Sequence, residues 1–260
     1  MKKSIVSAII LLLTLALLAG CGKPQAQQPD PTKSTAEITT TPTGTIPTED
    51  DTEYEGDASS YYIDVVYRQQ IERYHTAISQ QWDESTYFDH EMSALAAHYY
   101  DEKSLDNIGF TFMDLDGDGI WELIIGAIKN AERNPLIFEI WALKNDEPVM
   151  LAQSGSNNRY YLQYSQEDDL WSVAYEAENG AANRAVYYLQ LQDGEFQVTQ
   201  GIIFDIRANE NEPWFMTYDL DWDVSNDTPI DEETADSVME AGRNLYAAQE
   251  YFPYSLYNGQ

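Results

Sequence analysis

The sequence predicts an α+β fold: two N-terminal helices, an antiparallel meander of about seven or eight strands, and a C-terminal helix. Three observations lead there. Apolar residues first recur at three- and four-residue steps, then at every second position, and Asp193-Gly194 sits between the apolar residues Leu191 and Phe196. The first period marks amphipathic helix and the second half-buried strand. An Asp-Gly pair is a strong two-residue hairpin signal. Strands joined by short hairpins pair antiparallel, and helices segregated from them cover one face of the sheet.

The elements follow in order. Ile63, Val66, Tyr67, Ile71, Tyr74 and Ile78 trace one helix face. A second helix is expected from about Thr86 to Tyr100, burying Phe88, Met92, Leu95, Ala96 and Tyr99. Leu136 to Leu143 is apolar at nearly every position, which suits a central strand covered on both faces. Leu162 and Tyr164, then Trp171, Val173 and Tyr175, then Tyr187, Leu189 and Leu191 alternate with polar residues. Asn145-Asp146 and Asp168-Asp169 are further turn candidates. Asp219, Asp221 and Asp223 alternate with Leu220, Trp222 and Val224, which reads as a strand with one solvated acidic face. Asp231 can cap a helix from Glu232 to about Gln249, with acids in its first turn where the helix dipole favours them.

Ahead of this domain, assigned to residues 60–260, lie two segments of different character. Lys2 and Lys3 precede an apolar run from Ile9 to Leu18, broken only by Thr14, and then small residues. This is the pattern of a secretory signal peptide over residues 1–20. The run is shorter than the roughly 20 apolar residues that a membrane span needs. It ends in Leu18-Ala19-Gly20-Cys21, which resembles the lipobox of bacterial lipoproteins. That resemblance implies cleavage before Cys21, lipidation of its thiol, and anchoring on the outer face of the cell membrane. Residues 21–59 are rich in Pro, Thr and Gln and turn acidic at Glu49-Asp50-Asp51. Such a segment buries too little apolar surface to offset the entropy of ordering. It reads as a tether with a root-mean-square reach of roughly 35 Å as a flexible coil.

Charge narrows the partners. The chain carries a formal net charge of −31, and loss of residues 1–20 removes two lysines and no acid, giving −33. Such a field repels nucleic acid and favours divalent cations and neutral or basic polymers or proteins. Cys21 is the single cysteine, so the domain folds without disulfides.

The sharpest motif runs from Asp114 to Gly126. Asp114, Asp116 and Asp118 occupy positions 1, 3 and 5 of a calcium-type loop, with Gly119 at the sharp turn and the Ile120 carbonyl at position 7. Three converging carboxylates repel one another, and hard oxygen donors favour Ca²⁺ over softer metals. Position 12 of an EF-hand falls on Ile125, which cannot ligate, so Glu122 at position 9 is the candidate last ligand. The stretch resembles the calcium loop of FG-GAP and related propeller-type repeats. Family members carry Asp where Glu122 stands and repeat the motif blade after blade, whereas this chain has it once. Together with the lipobox, the motif resembles uncharacterised lipoproteins of Gram-positive bacteria, a likeness that implies architecture and no activity.

Catalytic signatures are missing. His75, His90 and His98 are not spaced as zinc ligands, and there is no nucleophile elbow or phosphate-binding glycine loop. Nineteen tyrosines and six tryptophans offer flat faces with polar edges, suited to stacking on sugars or anchoring a protein. The reading is a calcium-stabilised ligand-binding or interaction domain, with no catalytic residue assigned. The alternative is an envelope hydrolase of glycan or peptidoglycan using a carboxylate pair.

Overall fold

The computed structural model describes residues 58–101, 104–128 and 136–258. The segments expected as signal sequence (1–20) and tether (21–59), Cys21 included, lie outside the described residues, except that Ala58 and Ser59 are helical. The fold is mixed α+β and is built on one large antiparallel sheet.

A single turn, α1 (Ala58–Tyr61), runs into a wider π-type turn at Tyr62–Val66, and α2 spans Arg68–Ser79. Tyr67, Ile71, Tyr74 and Ile78 are buried, as their spacing requires. The second helix departs from expectation. Only Glu84–Asp89 is α-helical (α3), started by Asp83, whose carboxylate accepts the Thr86 N–H. A 3₁₀ segment follows at Ala94–Tyr99, and a last turn, α4, covers Ser104–Asn107. Glu91, with φ at +55°, breaks the helix between them. Phe88, expected inside, is exposed, while Met92, Leu95 and Ala96 are buried.

Among the described residues eleven strands follow, more than the seven or eight expected: β1 (Ile108–Met113), β2 (Glu122–Ala127), β3 (Ile137–Lys144), β4 (Glu147–Gln153), β5 (Asn158–Ser165), β6 (Leu170–Glu178), β7 (Asn183–Gln192), β8 (Glu195–Asp205), β9 (Trp214–Thr217), β10 (Thr228–Ile230) and β11 (Phe252–Pro253). The last three are too short to show a period in sequence. Their order is β10-β9-β8-β7-β6-β5-β3-β2-β1-β11, with β4 also on β3. Asn145-Asp146 and Asp193-Gly194 all have positive φ and close the β3–β4 and β7–β8 hairpins. The acidic strand expected at Asp219–Asp223 does not form. β9 ends at Thr217, and each of these aspartates instead accepts the backbone N–H two residues on, making successive local turns.

The sheet forks at β3, which meets β5 only through Ile137 and Tyr160 and pairs with β4 over most of its length. The fork lets the sheet fold over its own inner face. Ile124 and Ile140 from β2 and β3 share a core with Val173, Tyr187, Leu189 and Ile203 from β6–β8. The outer face carries the helices. Leu123, Ile125 and Phe138 pack with Ile71, Tyr74 and Tyr87 of the N-terminal helices. At the far end, helix α5 (Glu232–Arg243) lays Ala235 and Met239 on Ile202 and Trp214. Asp231 caps it through the Thr234 N–H at 2.8 Å. The helix stops at Arg243 rather than near Gln249, because the chain then extends along β5: Tyr164 N–H donates to Leu245 O, and Ala247 N–H to Leu162 O.

Candidate metal centre

The acidic motif is the turn between β1 and β2, whose last pair is Met113 opposite Glu122. Two layers hold the turn. Leu115 sinks into the inner core, while Ile120 and Trp121 pack on the helical side. Gly117 and Gly119 have φ of 77° and 88°, the left-handed region that a side chain disfavours. These bends let the Asp114 carboxylate accept from Gly117 N–H at 2.7 Å and Gly119 N–H at 3.0 Å.

Asp114, Asp116 and Glu122 offer oxygens that all lie within 4.8 Å of one another. Asp118 is not in this trio. It is exposed, and its carboxylate accepts the Ile120 N–H at 2.7 Å. The last candidate, Glu122, is the most deeply placed, only 3% exposed. One of its oxygens accepts the Leu115 N–H at 2.8 Å. Burial pushes its carboxyl up to about 8; the Leu115 N–H opposes that, and Asp116, Asp118 and Asp114 add to it. Asp116 is also raised, first by burial and then by Asp118. A cation between these oxygens would relieve both penalties.

Two tyrosines that sequence reasoning did not place at the site fix Glu122 from behind. Trp121 N–H donates to the Tyr62 hydroxyl at 3.1 Å, and the Tyr67 hydroxyl donates to Trp121 O at 2.9 Å. The Tyr62 ring also stacks on Trp121, with centroids 5.3 Å apart. Both backbone groups of the residue before Glu122 are thus held from a segment more than 50 residues away. Tyr67 could be read from its spacing as a core residue. Its reach to the loop carried no sequence signal.

Comparison with protein-family models, curated proteins and solved structures finds no match. Among the described residues, no helix is long and apolar enough to cross a membrane.

Proposed function

We propose that this protein is a membrane-anchored, extracytoplasmic binding module whose β1–β2 turn takes one structural Ca²⁺. The observation that carries the calcium reading is the convergence of Asp114, Asp116 and the buried Glu122. Asp114 and Asp116 would give outer ligands and Glu122 the inner one, with the Ile120 carbonyl and water completing the six to eight oxygens calcium prefers. Asp118 would then shape the turn and add negative field. The resemblance to FG-GAP loops supports the same ligand type. A structural role suits the place of the loop, since its residues pack on both the inner core and the helical core.

Thermal melts of the protein in calcium and in chelator test this. Calcium should raise the midpoint, and Asp116→Asn should reduce the rise. At about 100 times the dissociation constant the gain is roughly 2.7 kcal/mol. Equal midpoints for the unsubstituted protein would remove the metal from the reading.

The anchor rests on the lipobox resemblance at Cys21. Cys21→Ala should release the protein from the membrane fraction or leave it unprocessed. Fully processed Cys21→Ala protein that still sediments with membranes would exclude lipid anchoring through this thiol. Binding is favoured over hydrolysis for a physical reason. Glu122 has the raised pKa of a general acid, but at 3% exposure it cannot touch a polymeric substrate.

A further inference from the structure

The outer face of β5–β8 meets α5 along an open groove of about 450 Å³, a volume that suits a small ligand. Strand register lays out its floor. Arg159 stands opposite Glu176, Glu176 opposite Val186, and Val186 opposite Ile202. In the next row Glu178 faces Arg184, Arg184 faces Phe204, and Phe204 faces Trp214. Asp236, Met239 and Arg243 form the helical wall, spaced three and four residues apart on one side of α5.

Three of the six arginines among the described residues line this groove. In a chain with 45 acidic residues, none of the three forms an ion pair with a described residue. Arg159 donates from Nη1 to the Gly155 and Asn158 carbonyls and so holds the loop at the groove's end. Arg184 turns away from Glu178, its neighbour across the ladder, and lies over the rings of Phe204 and Trp214 at 5.2 and 5.3 Å. A guanidinium stacked on aromatic faces keeps its in-plane N–H donors available for a planar anion. Arg243 is exposed and makes no hydrogen bond among the described residues.

We propose that this groove binds a small zwitterion of the amino-acid or short-peptide type. Arg184 and Arg243 take its carboxylate, Glu178 and Asp236 face its ammonium, and Met239 and Val186 receive its apolar part. Charge selects this class. A phosphate would meet three carboxylates on the lining and the negative field of the whole chain. A simple cation would meet three guanidiniums. A ligand of zero net charge crosses the field without penalty and satisfies both signs inside. The groove shares no residue with the β1–β2 turn, so the inference stands apart from the calcium reading.

Titration calorimetry on the full chain, with calcium and with chelator, decides the matter. The probes are leucine, alanyl-leucine, N-acetyl-alanyl-leucine, alanyl-leucine amide and inorganic phosphate. Alanyl-leucine or leucine should bind, the tighter of the two telling peptide from free amino acid. Blocking either terminus of the dipeptide should weaken binding by about tenfold or more, the loss of one charged contact. Arg243→Gln should do the same with little change in the melting midpoint, because the exposed Arg243 side chain makes no hydrogen bond or ion pair with a described residue. The proposal is overturned if neither zwitterion binds, if the amide binds as well as the free acid, if phosphate is preferred, or if Arg243→Gln binds undiminished.

Discussion

Glu122→Gln should stabilise the calcium-free protein at alkaline pH and abolish its response to calcium. Folding raises this carboxyl from an ordinary 4.5 to about 8, chiefly by burial. Between those values the folded chain keeps a proton that the unfolded chain has released. Without metal, stability therefore falls as pH rises from about 4.5 and levels off above about 8. At roughly 1.4 kcal/mol per unit, the loss is on the order of 3–5 kcal/mol. Glutamine keeps an oxygen for the Leu115 N–H and carries no charge, so the variant escapes the loss. The groups facing Glu122 are Asp114, Asp116 and Asp118 of the turn and the phenols of Tyr62 and Tyr67. Both phenols are raised, first by burial, and stay neutral in this range. Denaturant melts at pH 5 and pH 9, in chelator and in calcium, read both effects. A variant less stable than the parent at pH 9 in chelator would mean that the buried charge is compensated within the protein. A variant that still gains from calcium would remove Glu122 from the ligand set.

Phe138→Ala should cost about 3–5 kcal/mol, the range for truncating a large core aromatic. Phe138 is fully buried on the outer face of β3. Its ring lies parallel to Tyr74 of α2 at 6.5 Å and edge-on to Tyr99 at 5.4 Å. The cavity would open between sheet and helices, among the buried rings of Tyr74, Tyr87 and Tyr254. Loss of the helical signal together with the tertiary signal in one transition is the expected result. A loss under about 1 kcal/mol would mean that the helices contribute little to the stability of the sheet.

Much of this arrangement was legible in the residues themselves. The apolar run at Leu136–Leu143 became a strand buried on both faces, because both sides of β3 meet a core. The turn chemistry of Asn145-Asp146 and Asp193-Gly194 placed two hairpins, since few pairs tolerate positive φ at both positions. Local signals failed where long-range contacts outweighed them. Glu91 interrupts the second helix, and its 3₁₀ continuation is set where Ser93 donates its N–H to buried Glu139 and its hydroxyl to Ser154 O. The end of α5 is decided by β5, whose free edge offers the chain hydrogen bonds that competed with another helical turn. Asp219–Asp223 had the alternation of a strand, but aspartates accept from their own backbone, and that local bond displaced the ladder.

The candidate site divides along the same line. By itself the sequence determined the donor type, the spacing of Asp114, Asp116 and Asp118, and the glycines that bend the turn. Those properties depend on residues within a few bonds of one another. Tertiary structure alone decided that Glu122 is buried and raised in pKa while Asp118 stays in water. It also decided that two distant tyrosines grip Trp121 and that three arginines share one groove. Burial and convergence are set by which strands lie side by side, and one sheet folded over itself brings together residues separated by dozens of positions.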